Sequence, residues 1–384
     1  MVGEDTPKLE KSVCQGWRMS RLTVVIAPDS FKGSTSAAGA AAAIGRGWQR
    51  VRPGDHLILL PQADGGEGTL EALAAADSAY HWHDTPPVTG PDGRPTPGRW
   101  LEAPGGDAIV ELAQVSGLPL MATPDPLHAH TLGLGEVIRH ALAHSRSIIV
   151  GLGGSASTDG GAGLLAGLGA RLLDASGREL PPGGAALVEL ARLDLSGLVR
   201  PADVLVLTDV DAPLLGPDGA AEIFGPQKGA SEADIEVLEA GLRRWAEVVG
   251  VDPDQPGFGA AGGTAYALAA VLDATIAPGA PHVAHSTGLI EAVSGADVLI
   301  SGEGRFDATS MQGKVVGHAL GLPGSHRRLV IAGEVALEPP GVATRSLSEL
   351  AGDPAYAKKA PDRWLELAGE QAAQAVGAER RVRP

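Results

Sequence analysis

The chain has 384 residues, of which 44% are hydrophobic and only 3% aromatic, and its net charge is −16. This length suits two domains, and the hydrophobic share is that of a folded protein. An acidic surface repels nucleic acid and anionic lipid, so we expect neither as a partner. The single cysteine, Cys14, excludes an internal disulfide framework and a cysteine-based zinc site.

The N-terminal end lacks the apolar stretch of a secretory signal, and no later stretch reads as a membrane span. Residues 1–18 mix acidic and basic side chains, and Met19 directly precedes the first clear strand. We therefore expect residues 1–19 to be a disordered extension, and we expect the protein to be cytoplasmic.

Short apolar runs alternate with polar clusters and with Ala/Leu-rich stretches along the chain. The pattern predicts strands at 22–27, 57–60, 147–150, 204–207, 298–300 and, last, 329–332. It predicts helices at 37–50, at 69–76 and from about 164. Strands that alternate with helices indicate βαβ units, largely parallel sheets and an α/β fold. The Pro- and Gly-rich stretch 86–104 is interpreted as a surface excursion or hinge.

Five polar loops directly follow predicted strands, at the edge of an open α/β sheet that lines the ligand crevice. They are PDSFKGSTS at 28–36, PQADGGEG at 61–68, GLGGSASTDGGAG at 151–163, TDVDAPLLGPDG at 208–219 and SGEGRFD at 301–307. Because glycine lets backbone approach a ligand closely, the pattern predicts an anion-binding crevice.

The first two loops combine charge with free backbone amides. Asp29, Ser30 and Lys32 precede a helix whose first N–H groups attract an anion. Asp64, Gly65, Gly66 and Glu67 form the second set, in which the Gly pair can turn amides toward an anion. The carboxylates suit Mg²⁺ or a hydroxyl proton. A plain N-cap and an acidic turn remain the alternatives.

The third loop favours a phosphate cradle most strongly, because six of its thirteen residues are glycine. The candidates there are Gly153, Gly154, Ser155, Ser157, Asp159 and Gly160. Further charged candidates are Asp209, Lys228, Glu303, Arg305, Asp307 and Lys314. Any one of these could be a salt-bridged turn, but their shared position favours one crevice.

Several enzyme classes are excluded by missing motifs. The sequence contains no GxxxxGK[ST] P-loop, no GxSxG elbow and no HExxH zinc motif. The GxGxxG match at 257–262 does not follow a predicted strand, so a dinucleotide-binding dehydrogenase is disfavoured. His81, His83, His128 and His130 are interpreted as solvated loop residues. The loops therefore indicate phosphoryl transfer without a P-loop.

The assembled motifs resemble those of bacterial type I glycerate kinases. The matching segments are IAPDSFKGSTSA from 26, ADGGEGT from 63, GLGGSASTDGGAG from 151, TDVDAPLLGPDGAA from 208, FGPQKGA from 224, GFGAAGG from 257 and SGEGRFDATSMQGK from 301. They keep the family order over residues 22–335. Departures from the family pattern occur at His130, Thr158, Ala212 and Thr309, beside ligand loops, which leaves the substrate preference open.

The resemblance implies ATP-dependent, Mg²⁺-assisted phosphorylation of glycerate, usually at the 2-hydroxyl. It also implies two unlike α/β domains with the active site in the cleft between them. We expect a discontinuous flavodoxin-like domain at 20–80 plus 290–384, with a second, mixed α/β domain at 81–289 inserted in it.

Individual roles are assigned on this basis as hypotheses. Asp64 orients and deprotonates the hydroxyl, with Asp307 as its substitute, while Lys32 and Lys314 neutralise charge. Asp159 and Asp209 are the candidate metal ligands. The other binding candidates are Asp29, Ser30, Gly65, Gly66, Glu67, Gly153, Gly154, Ser155, Ser157, Gly160, Lys228, Glu303 and Arg305.

Three readings stay open beside this one. The chain could phosphorylate another small hydroxy acid, such as an aldonate, or it could phosphorylate glycerate at the 3-hydroxyl. It could also be a ligand-binding regulator on a kinase scaffold. The sequence leaves a homodimer open.

Overall fold

A computed structural model describes residues 21–324 and 327–382. Its strands are β1 (Thr23–Ile26), β2 (His56–Leu59), β3 (His81–Asp84), β4 (Val88–Thr89), β5 (Pro95–Thr96), β6 (Arg99–Glu102), β7 (Ala108–Glu111), β8 (Ser147–Gly151), β9 (Arg171–Leu173), β10 (Arg192–Asp194), β11 (Asp203–Leu207), β12 (Thr275–Ala277), β13 (Val298–Phe306), β14 (Arg327–Val335) and β15 (Val342–Ser346). The predicted extension 1–19 lies outside the described residues.

The α-helices alternate with the strands along most of the chain. They are α1 (Ala37–Val51), α2 (Thr69–Ala76), α3 (Ala113–Ser116), α4 (Leu132–Ala141), α5 (Ala162–Gly167), α6 (Ala220–Phe224), α7 (Glu232–Val249), α8 (Ala260–Leu272), α9 (Gly279–Ser286), α10 (Leu289–Ser294), α11 (Val315–Gly321), α12 (Leu347–Ala351), α13 (Pro354–Lys359) and α14 (Pro361–Val382). Within residues 21–324 and 327–382, no helix is both long enough and apolar enough to cross a membrane.

The first sheet has five parallel strands in the order β15-β14-β13-β1-β2. This is the strand order of flavodoxin-like folds. Helices cover both faces, because the strands are apolar on both sides. Ile44 and Trp48 of α1 pack with Leu365 of α14 on one face, and Leu289 and Val293 of α10 pack on the other. The flavodoxin-like sheet expected from the resemblance is confirmed.

The second sheet is mixed and has the strand order β12-β11-β8-β7-β6-β3. Strands β7, β8, β11 and β12 are parallel, whereas β6 pairs antiparallel with both β7 and β3. Its strands all lie within 81–277, and those of the first sheet lie within 23–59 and 298–346. The fold class is therefore confirmed, while the division into a discontinuous domain and an inserted one stays a prediction.

Two sequence interpretations are wrong. The stretch 86–104 is not a surface excursion, because it contains β6, whose Trp100 and Leu101 are fully buried in the second sheet. The segment 301–307 is not a loop, because β13 continues to Phe306. It does so because β14 is equally long and pairs with it as far as Val335.

Edge strands were also missed by the sequence reading. Strand β14 is not the last strand, since β15 pairs with it. His81 and His83 lie in β3, an edge strand, and not in a loop. Both segments are short and largely polar, so they lack the apolar run by which buried strands are recognised.

Candidate active site

The loop after β2 lies directly against the second sheet. A Cβ atom on Gly65 would be 2.9 Å from the carbonyl oxygen of Leu207, at the end of β11. A Cβ atom on Gly153, after β8, would lie 2.3 Å from Cα of Gly66. Only glycine fits at these backbone contacts, so the carboxyl ends of strands from both sheets meet here.

Acidic residues from both sheets gather at this meeting point. Burial raises the pKa of Asp29 to about 7, and the charges of Asp64 and Glu303 add to the rise. Burial likewise raises the pKa of Asp209 to about 6, again with a contribution from Asp64. Asp64 therefore lies close enough to both groups for its charge to act on them, as expected for a shared crevice.

Two lysines offset this negative charge. Lys32 and Lys314 both lower the pKa of Glu303, although burial raises it overall. Lys32 also lowers the pKa of Asp29, and Lys314 that of Asp209. The structure thus brings Asp29, Lys32, Asp64, Asp209, Glu303 and Lys314 together.

Two cavities open beside the cluster. The smaller has a volume of about 450 Å³ and is lined by charged groups that include Asp29, Lys32, Asp64, Glu303, Arg305 and Lys314. The larger has a volume of about 700 Å³ and is lined by Lys32, Glu67, Glu71, Arg99, Glu111 and Gln114, among others. Ser30, Phe31, Lys32 and Ser34 line both cavities. The loop after β1 is therefore their common wall.

Backbone amides orient the acidic side chains. The N–H of Gly66 donates to Oδ1 of Asp64 over 3.1 Å, and the N–H of Ser30 donates to Oδ1 of Asp29 over 2.6 Å. The N–H of Gly279 donates to Oδ1 of Asp209 over 2.9 Å. Backbone N–H groups thus hold all three carboxylates, and Asp209 accepts from the N–H of Ala280 as well.

Two carboxylate oxygens of the cluster are buried without a hydrogen-bond donor among the described residues. They are Oδ2 of Asp209 and Oε1 of Glu303. Unpaired carboxylate oxygens suit a hard cation such as Mg²⁺, which takes one or two protein carboxylates and completes its shell with water and phosphate. Within 21–324 and 327–382, no group of three or more His, Cys, Asp or Glu side chains could hold a metal ion.

The third loop has a different environment from the one expected. Ser157 and Asp159 are fully buried, and neither lines the two cavities. Asp159 accepts hydrogen bonds from the N–H and hydroxyl of Thr131 and from the N–H groups of Gly161 and Gly163, at 2.8–3.2 Å. With both oxygens engaged by the protein, Asp159 is placed as an internal anchor, and its surroundings do not favour metal binding.

The remaining binding candidates near this loop differ in burial. Lys228 is buried, and its Nζ donates to the carbonyl oxygen of Ser157 and, over 3.4 Å, to the hydroxyl of Thr158. Burial lowers the pKa of Lys228 to about 8. Gly160 accepts a 3.0 Å hydrogen bond from the Trp245 indole. Ser155 bonds within its own loop. Gly154 is exposed and Gly153 is half-buried.

Asp307 lies at the margin of the cluster, where its charge adds to the raised pKa of Glu303. Its carboxylate accepts from the N–H and hydroxyl of Thr309, at 2.9 and 2.7 Å, and pairs with Arg305 at 3.3 Å. These hydrogen bonds lower its pKa. The residue caps the turn at Ala308–Met311 and lines neither cavity, so Asp64 is the better placed of the two candidate bases.

The larger cavity also contains residues that the sequence reading missed. Arg99, Glu111 and Gln114 line it. Arg99 lies in the stretch 86–104 that was interpreted as an excursion, and Glu111 and Gln114 follow it in the chain. A buried glutamate at a strand end could have been found only if β7 had been recognised.

The match to known proteins covers nearly the whole chain. Residues 24–376 match the sequence model of the glycerate kinase family. The chain belongs to the glycerate kinase family. It is 44% identical over 306 residues to glycerate 2-kinase of Escherichia coli (strain K12), covering 77% of this chain and 80% of that relative. It is 42% identical over 305 residues to glycerate kinase of Bacillus subtilis (strain 168), covering 76% and 79%.

A solved structure has the same fold. The crystal structure of a protein provisionally named glycerate kinase 2, from Salmonella typhimurium LT2, superposes with a TM-score of 0.76 at 36% identity. It covers 94% of this chain, and all of the solved chain is covered. Membership of the glycerate kinase family establishes that the chain is a kinase, as the loops predicted.

Proposed function

We propose that this kinase transfers the γ-phosphoryl group of ATP to the 2-hydroxyl of D-glycerate. The observation that carries the proposal is the convergence of Asp29, Asp64, Asp209 and Glu303 with Lys32 and Lys314, where strand ends of two sheets meet. Phosphoryl transfer requires positioning and charge neutralisation above all, and this cluster supplies both. The name of the Escherichia coli relative, glycerate 2-kinase, favours the 2-hydroxyl.

The smaller cavity suits glycerate. Lys314 and Arg305 line it and can pair with a carboxylate, and Asp64 lines it as an acceptor for a hydroxyl proton. The larger cavity is of the size that small-molecule and cofactor sites have, and we assign it to the nucleotide. Lys32 lines both cavities, so it can neutralise the phosphoryl group on its way from one ligand to the other.

The reaction then proceeds by direct transfer. The 2-hydroxyl oxygen of glycerate forms a bond to the γ-phosphorus while the bond from that phosphorus to the oxygen of ADP breaks. The hydroxyl proton passes to the carboxylate of Asp64, which the Gly66 N–H holds in place. Asp29 and Glu303 lie near this group, and the charge of Lys32 acts on both of them.

We propose Asp209 and Glu303 as the residues that would hold Mg²⁺, because each has a buried carboxylate oxygen without a hydrogen-bond donor among the described residues. When bound, Mg²⁺ neutralises charge on the phosphates. This assignment replaces Asp159, whose oxygens the protein itself engages.

The test is ATP consumption with and without added D-glycerate, followed by phosphorus NMR of the product. We expect turnover only when both glycerate and Mg²⁺ are present, and we expect the 2-phosphate. Formation of the 3-phosphate would correct the position alone. Turnover with an aldonate and not with glycerate would replace the substrate, and lack of turnover across a panel of small hydroxy acids would favour a binding protein.

A further inference from the structure

Glu111 is a buried carboxylate that reaches from one sheet to the loop of the other. It is the last residue of β7 in the second sheet and is only 2% exposed. Its oxygens accept the N–H of Gly68 over 3.1 Å and the N–H of Leu70 over 3.3 Å. Both donors belong to the first turn of α2, which follows the Asp64 loop.

Helix α2 has no capping side chain of its own that could accept these N–H groups. Its N-cap is Gly68, which has a φ of 92° and offers no side chain to the free N–H groups of the first turn. Helices usually satisfy these groups with a Ser, Thr, Asp or Asn side chain at that position. Here a residue from a different sheet, 43 positions away from Gly68 in sequence, takes the role.

A short chain of hydrogen bonds connects this contact with Asp64. Thr69 lies between the two donors, and its N–H and hydroxyl both donate to the carbonyl oxygen of Gly66, over 3.2 and 2.7 Å. The N–H of Gly66 in turn donates to Oδ1 of Asp64. The orientation of the Asp64 carboxylate therefore depends on the turn that Glu111 holds.

We propose that Glu111 is a positioning residue for phosphoryl transfer, which fixes the Asp64 loop relative to the second sheet. The inference rests on the proposed function of Asp64 as the proton acceptor. It adds a residue for which neither the motifs nor the family resemblance supplied a role. Glu111 also lines the larger cavity. One carboxylate therefore contacts both this cavity and the turn that follows the Asp64 loop.

The electrostatic surroundings make this role dependent on pH. Burial raises the pKa of Glu111 to about 8, with the charges of Glu71 and Glu67 adding to it. Only the ionised carboxylate accepts both N–H bonds at full strength. The contribution of Glu111 to turnover should therefore increase as the pH rises from about 7 to about 9.

The experiment compares Glu111→Gln with wild type and with Glu136→Gln. Glu136 is a matched control, because its carboxylate also accepts a backbone N–H from a distant segment, that of Thr89 over 2.6 Å, and lines neither cavity. We expect Glu111→Gln to lower kcat on the order of 10-fold at high pH and less at neutral pH, because small misplacements of a catalytic group cost up to about 10²-fold. The KM for glycerate should change less than kcat.

The ratio of wild-type to variant kcat is the decisive readout. If Glu111 only stabilises the fold, kcat per folded molecule should be the same in wild type and Glu111→Gln at every pH. That result, or equal losses in Glu111→Gln and Glu136→Gln, would overturn the proposal. Absence of any glycerate-dependent turnover in the wild type would instead overturn the proposed function. Faster amide exchange at Gly68 and Leu70 in Glu111→Gln would then still decide whether Glu111 holds the turn.

A variant that fails to fold does not end the test. Amide exchange of the wild type at Gly68 and Leu70 should then show protection that increases through about pH 8, beyond the ordinary base-catalysed trend. Protection independent of the ionisation of Glu111 would contradict the proposal without any substitution.

Discussion

The loops after β2 and after β8 look alike in sequence and differ in the structure. Both are rich in glycine and contain an aspartate. In the first, Asp64 faces a cavity and keeps an oxygen free for a ligand. In the second, Asp159 is fully buried and accepts four hydrogen bonds from its own protein.

The difference shows that glycine serves two purposes which a sequence does not separate. A backbone that approaches a ligand needs glycine, and so does a backbone that approaches another segment. A Cβ atom on Gly160 would lie 2.6 Å from the Trp245 ring, and one on Gly161 would lie 2.6 Å from Ala267. The loop after β8 therefore owes these glycines to internal packing.

The largest expected effect is on turnover. Asp64→Asn should lower kcat by about 10²- to 10⁴-fold, the usual contribution of a general base. Thermal unfolding should change little, because only one hydrogen bond to Gly66 depends on the carboxylate. Asp307→Asn is the matched control and should retain activity within a few-fold. A larger loss in Asp307→Asn than in Asp64→Asn would exchange the two roles.

The next largest effect is on the stability of the loop after β8. Asp159→Asn should lower the free energy of unfolding by about 3 kcal/mol, because each buried N–H left unsatisfied costs about 1–3 kcal/mol. Urea denaturation measures this, and kcat per folded molecule should stay within a few-fold. A collapse of kcat with a changed Mg²⁺ requirement would instead restore Asp159 as a metal ligand.

A smaller effect should follow from crowding the Trp245 contact. Gly160→Ala should cost about 1–3 kcal/mol beyond the backbone penalty, since overpacking a core has that cost. The control is Gly177→Ala, whose φ of 82° is also left-handed but whose Cβ would meet nothing within 4 Å. Equal losses of stability in the two variants would show that backbone conformation, and not packing, requires glycine at 160.

The smallest expected effect is on the pH dependence of stability, and it concerns Asp29 in the crevice. Its pKa is raised to about 7, above its ordinary value of 3.8, so ionisation of Asp29 opposes folding. Asp29→Asn should therefore raise the melting temperature at pH 8, and the gain should shrink as the pH falls from 7 toward 4. Calorimetry across this range measures the gain. A gain independent of pH would contradict the assigned shift.

Much of the fold was predictable from local patterns. The bounds 69–76 of α2 were predicted to the residue, and the buried strands β1, β8 and β11 were found within one residue or two at each end. These segments have unbroken apolar runs followed by polar loops. Gly302 and Gly304 were misread as loop residues, although they lie in β13, where a Cβ on Gly302 would meet the backbone of Ile331.

The sequence allowed a crevice to be predicted, but not which of the candidate residues line it. Charged residues at strand ends of one sheet meet by topology, so Asp29, Asp64 and Glu303 could be grouped from sequence. The burial of Ser157 involves α8, because a Cβ atom on Gly262 would lie 2.1 Å from the Ser157 carbonyl oxygen. Lys228 donates to that same oxygen from 71 positions away. The contact of Glu111 with Gly68 and Leu70 joins the two sheets. Such long-range contacts leave no local signal in the sequence.

The central position of β1 has a consequence for the synthesis of the chain. The N–H of Thr23 in β1 donates to the carboxylate of Asp297, which is made 274 residues later. At the usual rate of roughly 5–20 residues per second, β1 waits many seconds for its neighbour β13, while every strand of the second sheet is already out. Until β13 is made, one apolar edge of β1 has no pairing strand. Unpaired strand edges are prone to aggregation, so chaperones or early contacts must protect β1 during synthesis.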